Sequence, residues 1–216
     1  MTGKWFRDRF SLFFLPLLLL LTAILPTGAS AQGGFSRFLE LNRNEDFVWT
    51  GNVNLFVGQK FLDEADWEPV ARPLKVGFEF DYTKNSWLSG VVAGVYYSKG
   101  DETTTEGGED VDVEATTLEV ALGTRKVWYY LSDYIRPYLG LGAVFVSAEI
   151  DVGSTSDDDS GFGPWAEAGA YFPVLEPLTL GVGFRWSKVD VDLLGQTVDA
   201  GGWHAGATLG IRWKDF

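Results

Sequence analysis

From residue 47 to the end of the chain, apolar and polar residues alternate with a period of two almost throughout. The last stretch is the clearest: Trp203, Ala205, Ala207, Leu209, Ile211 and Trp213 make one apolar stripe with tryptophan at both ends, while His204, Gly206, Thr208, Gly210 and Arg212 are small or polar. The same pattern predicts eight strands, at about 47–61, 74–84, 87–98, 116–128, 137–148, 164–173, 178–189 and 202–213. Their connections alternate in length. Asn85-Ser86, Tyr129 to Arg136 and Val174 to Pro177 are short; Leu62 to Pro73, Lys99 to Ala115, Glu149 to Gly163 and Asp190 to Gly201 are long. Short turns at one end and long loops at the other are the polarity of an outer-membrane barrel, with both termini on the periplasmic side.

Sorting each strand into its two faces sharpens this picture. One face carries Val53, Leu55, Val57, Leu74, Val76, Phe78, Leu139, Leu141, Leu180, Val182 and Phe184; only Lys126 and Lys188 are charged on it, both near strand ends. A lysine there can snorkel to the headgroups, whereas at mid-membrane it would cost about 2–4 kcal/mol. The opposite face holds Lys60, Lys75, Glu79, Asp81, Glu119, Arg125, Glu167, Arg185 and Arg212, with Ser187, His204 and most strand glycines. A soluble barrel would reverse the two faces. Aromatic residues cap the apolar stripes: Trp49, Tyr82, Trp87, Trp128, Phe172 and Trp213 are expected at the periplasmic interface, and Phe61, Tyr97, Phe145, Trp186 and Trp203 at the outer one. The fold class predicted is all-β, a transmembrane eight-stranded antiparallel up-and-down barrel over 47–216.

Ahead of the barrel, Lys4, Arg7 and Arg9 precede an apolar run from Phe13 to Leu25, followed by Ala29-Ser30-Ala31. That run is shorter than a spanning helix and ends in small residues, which predicts a secretory signal peptide over 1–31 and a polar periplasmic tail over 32–46. Composition narrows the chemistry. The net charge of −13 argues against nucleic acid as a partner, and the absence of cysteine leaves an exported chain without disulfides. A single histidine, His204, argues against histidine-rich metal sites, and no cofactor is expected.

The segments PYLGLGAVFV (137–146), SGFGPWAEAGAYF (160–172) and LGVGFRWS (180–187), with a terminal Phe216, resemble the eight-stranded outer-membrane β-barrel family that includes the OmpA transmembrane domain, OmpX and OmpW. The resemblance implies the outer membrane of a Gram-negative cell, contact with its lipid and lipopolysaccharide, and insertion by the barrel-assembly machinery. Phe216 stands where that family carries its assembly signal, although Ile211 and Trp213 are in the opposite phase. No peptidoglycan-binding segment is expected after the barrel.

On the polar face five basic and four acidic residues nearly balance, which predicts ion pairs filling a narrow lumen. A register summing to 352 between the sixth and seventh strands sets Glu167 opposite Arg185. A register summing to 391 between the last two sets Ser187 opposite His204. A serine beside a histidine could be an activated nucleophile, as in the outer-membrane lipid A deacylases that this chain resembles only loosely. Their His-x-Ser strand motif is Arg185-Trp186-Ser187 here, and no acid partner is clearly placed beyond nearby Asp190. The loop stretches 100–114 and 149–161 are acidic, and divalent cations at the lipopolysaccharide surface are their candidate ligands, although the spacing of a calcium loop is absent. The expected role is a non-enzymatic envelope or surface-interaction protein with a plugged interior. The alternatives are a narrow channel for ions, small solutes or hydrophobic compounds, and an acyl hydrolase using Ser187 and His204.

Overall fold

A computed structural model of the protein describes residues 49–84, 88–106, 109–128 and 134–215. The expected signal peptide and tail, Trp87 and Phe216 lie outside the described residues. Eight antiparallel strands close into a barrel: β1 (Trp49–Phe61), β2 (Leu74–Lys84), β3 (Gly90–Glu106), β4 (Glu109–Val127), β5 (Arg136–Val152), β6 (Thr155–Leu175), β7 (Leu178–Ser187) and β10 (Gly202–Asp215), with β1 pairing to both β2 and β10. β-Branched and aromatic residues at alternate positions favour each strand, and closure leaves no unpaired edge in the wall.

The apolar stripes face outward. Phe78 is 65% exposed, Leu141 63% and Phe184 62%, a ring of bare hydrophobic surface that lipid covers and water would not stabilise. The outer aromatic girdle is partly continuous: Phe61 pairs with Trp203, and Trp203 with Trp186, so three rings stand side by side at one height. Phe145 packs on Phe162 with ring centres 4.8 Å apart. At the other end Trp213 lies 5.7 Å from Phe80, which stacks on Tyr82.

The wall is taller on one side than the alternation in the sequence implies. β4 has 19 residues and β6 has 21, against about 9–11 needed to cross a bilayer. The predicted loops 99–115 and 149–163 are largely strand. Val111, Val113 and Ala115 continue the inward phase of β4 among acidic neighbours, and Thr103 and Thr105 donate to Asp112 and Asp110 across the hairpin at 2.9 and 3.1 Å. These cross-strand pairs supply the stability that composition concealed.

The remaining long connections fold over the mouth. Residues 62–73 include a one-turn helix, α1 (Glu64–Trp67), whose N-cap Asp63 accepts from the Ala65 N–H. Residues 188–201 include a small hairpin, β8 (Asp190–Leu193) and β9 (Gln196–Asp199). Its turn residues Leu194 and Gly195 both have positive φ, 52° and 77°, as this two-residue turn requires. For leucine that conformation costs roughly 1–2 kcal/mol. Asp159 and Asp157 of β6 hold the hairpin by accepting from the Asp192 and Leu194 N–H groups at 2.8 and 2.6 Å. Beneath it Trp67, Leu62, Val70, Val189, Val191 and Leu193 are buried against Val113, Val146 and Ala148, making an apolar cap above the lumen.

Trp67 is 1% exposed and its indole N–H donates to the Asp199 carbonyl at 2.9 Å. Trp67→Ala is expected to weaken the cap by about 3–5 kcal/mol. Amide hydrogen exchange should accelerate over 62–71 and 189–200 while the barrel strands keep their protection.

Candidate functional site

All eleven residues assigned to the interior from sequence are buried on the lumenal face: Lys60, Lys75, Glu79, Asp81, Glu119, Arg125, Glu167, Arg185, Ser187, His204 and Arg212. Cross-strand pairing sets many of them in one row that winds around the wall, Lys60, His204, Arg185, Glu167, Gly140, Arg125 and Gly90 in successive neighbours. Arg185 stands opposite Glu167, in the register that the sixth and seventh strands predict.

Arg125 is the centre of the lower cluster. Its Nε donates to Glu167 Oε1 at 2.6 Å, Nη2 to Glu79 Oε2 at 3.0 Å, and Nη1 to Asp81 Oδ2 at 3.2 Å and to the Tyr171 hydroxyl. Arg185 completes the group, donating to Glu167 Oε2 at 2.8 Å with its guanidinium 4.4 Å from the Tyr96 ring centre and 4.8 Å from that of Trp165. The carboxylates are further satisfied by neutral donors: Tyr96 to Glu79 at 2.6 Å, Tyr171 to Asp81 at 2.9 Å, and Asn52 to Asp81 at 2.8 Å. In the upper cluster Lys60 donates to Glu119 Oε1 at 2.8 Å, to Thr117 at 3.2 Å and to the Ala200 carbonyl at 2.7 Å, using all three ammonium hydrogens. Lys75 donates to Glu119 Oε2 at 2.6 Å and to His204 Nδ1 at 2.9 Å. Four cations thus meet four carboxylates. Arg212 stands apart, 3.6 Å from the exposed Glu176 on the short turn after β6.

The pairing of the last two strands differs from expectation by two residues. It sums to 389, so Ser187 lies opposite Gly202 and His204 opposite Arg185. Ser187 Oγ still reaches His204 Nε2 at 3.1 Å, because diagonal neighbours in a sheet touch when one side chain is long. Asp190 is no partner to this pair; it accepts from Lys188 at 2.8 Å. Where Lys75 is an ammonium it can only donate, which puts the ring proton on Nε2 and has histidine donate to serine. A general base would have to accept there.

Aromatic residues that the sequence reading passed over hold the glycine face together. Gly58, Gly206, Gly183, Gly169 and Tyr138 are successive cross-strand neighbours. A Cβ at Gly183 would meet the Tyr138 hydroxyl at 2.5 Å, and one at Gly206 would meet the Phe56 ring at 2.6 Å. These glycines are seats for rings. Tyr96, Tyr138, Trp165 and Tyr171 share the phase of the lumenal glycines, which is the signal that could have found them. With the rings in place, the space left among Lys75, Glu79, Arg185 and His204 is about 10 Å³. That volume holds one water.

A family model described as "Outer membrane protein beta-barrel domain" matches residues 17–210. The chain belongs to the outer membrane protein beta-barrel family. Outer-membrane location follows from that membership. Among solved structures, this barrel is similar to Neisserial surface protein A at 13% identity and a TM-score of 0.51, covering 78% of this chain and 100% of that one. It is also similar to OprG from Pseudomonas aeruginosa at 14% identity and a TM-score of 0.52, covering 77% and 95%. Both likenesses show the fold. A comparison with curated protein sequences gives no match.

Outside the membrane span, acidic residues of this barrel crowd the tall wall. Burial, together with Asp151, Asp158 and Glu114, raises the Glu149 carboxyl above its usual 4.5. Among the described residues, no three acidic or histidine side chains converge as a metal ion would need.

Two measurements follow from these contacts. A Cβ at Gly140 would stand 2.5 Å from Glu167 Oε1, so Gly140→Ala should push that carboxylate off Arg125. The expected loss is about 1–3 kcal/mol in urea unfolding, against about 3–5 kcal/mol for Arg125→Met, which removes one cation shared by three carboxylates. Because the Glu149 pKa is raised, its contribution to stability is full below pH 4.5 and lost as pH rises through the raised value. Glu149→Gln should therefore slow hydrogen exchange at the tops of β5 and β6 at neutral pH and flatten its dependence on pH.

Proposed function

We propose that this outer membrane β-barrel is a non-enzymatic envelope scaffold, a closed barrel that anchors a folded extracellular platform. The observation that carries the reading is the neutral, hydrogen-bonded lumen around Arg125, Arg185 and Glu119, with room for about one water beneath an apolar cap. A hydrated path for solutes would have to break several buried ion pairs, and breaking one by removing a partner costs about 3–5 kcal/mol. The burial of Ser187 at 1% exposure, away from the lipid face, works against acyl hydrolysis, as does Lys75 standing at His204 Nδ1 where a triad would place an acid. Its partners on this reading are outer-membrane lipid and lipopolysaccharide around the apolar belt, with the barrel-assembly machinery during insertion.

Planar-bilayer recording of the purified protein tests it. No discrete conductance steps are expected, and reproducible single-channel steps from the wild type would overturn the scaffold in favour of a channel. Mass spectra of lipid A from cells expressing the wild type and Ser187→Ala should be identical; loss of an acyl chain with the wild type alone would establish a hydrolase.

A further inference from the structure

At the extracellular end, α1, the β8–β9 hairpin and the tops of β3, β4 and β5 enclose an open groove of about 720 Å³. That size lies within the range of ligand-binding clefts, roughly 300–1,000 Å³. Its walls mix apolar and polar surface: half-buried Ile150, Val152 and Val198 line it beside Thr104 and Gln196, Leu194 is contributed by the hairpin turn, and the buried Trp67 and Val113 lie at its base. Its charged lining is of one sign. Asp66 and Glu68 line it, and Glu102 lies on the same strand face as the lining residue Thr104. Among the described residues, no basic side chain lines the groove. Cations elsewhere on this end are already engaged, Arg72 with Glu64 at 2.6 Å, Lys99 with Glu114 at 2.7 Å and Lys188 with Asp190 at 2.8 Å. Leu194, 46% exposed at φ 52°, occupies a turn position that asparagine or glycine would take with less strain. An unfavourable backbone kept beside a cleft is a pointer to function.

We propose that this groove binds a cationic amphipathic peptide segment, with apolar side chains on the Leu194 and Val152 surface and lysine or arginine groups at Asp66 and Glu68. This names a partner class for the platform and rests on the scaffold reading. An anionic headgroup meets like charge at the rim, and a neutral acyl chain uses the floor but leaves the carboxylates unmatched. A cationic, apolar-faced segment satisfies both.

The test uses the full protein in phosphatidylcholine nanodiscs, titrated with a fluorescent twelve-residue leucine–lysine peptide, with empty discs subtracted for binding to lipid. One saturable site is expected. The double variant Asp66→Asn, Glu68→Gln should weaken it roughly tenfold, and raised salt should weaken it too. Leu194→Asn should also weaken binding while leaving the unfolding midpoint unchanged or higher, because asparagine tolerates the positive φ; this separates a lost contact from a lost fold. A leucine–glutamate peptide and an oligolysine of equal length should each fail to saturate over the same range. The proposal is overturned if protein-bearing discs bind no more than empty ones, if the variants bind like the wild type, or if either control peptide binds equally well. Conductance steps would remove the scaffold reading and leave this binding curve intact, so the two failures are distinguishable.

Discussion

A charge taken into a lumen too narrow for bulk water must find a partner on the facing wall, and the interior of this barrel is organised by that requirement. Arg125 illustrates it: three carboxylates and a tyrosine hydroxyl surround one guanidinium. Each carboxylate would be costly without the cation, and the cation without them, so the cluster holds as a unit contributed by β2, β4, β6 and β7. The ion pairs therefore tie opposite sides of the wall together, which hydrogen bonds between adjacent strands cannot do.

Space for those pairs comes from the glycines. Gly140 lets the Glu167 carboxylate pass its neighbour strand to reach Arg125, and the row through Gly58, Gly206, Gly183 and Gly169 admits the rings of Phe56 and Tyr138. The rings in turn exclude water from the guanidinium groups, with Tyr138 4.5 Å from Arg125 and Tyr96 4.4 Å from Arg185. Low local polarity strengthens each charged hydrogen bond and raises the cost of losing one.

Above the membrane the same closed wall supports something different. β3 to β6 continue as paired strands, and the segments after β1 and β7 lean on them to bury Trp67, Val191 and Leu193. The barrel thus presents a small apolar-centred platform with acidic edges at its extracellular end. Its two layers of chemistry are distinct: four cations matched by four carboxylates in the lumenal clusters, and apolar surface edged with carboxylates above them.

The alternation of residues determined the architecture without further information. A stripe such as Leu74, Val76, Phe78 facing away from Lys75, Gly77, Glu79 has one low-energy orientation in a membrane, so strand count, facing and the polar interior were legible. The Glu167–Arg185 pair was legible as well, because a short turn fixes the register of the strands it joins. Longer connections do not fix register. The segment between β7 and β10 contains a hairpin of its own, and the pairing of His204 with Arg185 depended on how that hairpin packs. Likewise the acidic stretches 100–114 and 149–161 have the composition of loops and become strands only because each lies in a paired hairpin and the two hairpins meet at Val113–Val152 and Glu114–Asp151. The cap, the groove and the seating of rings on glycines are contacts between residues far apart in the chain. Periodicity assigns a residue its face; only the closed barrel decides what that face meets.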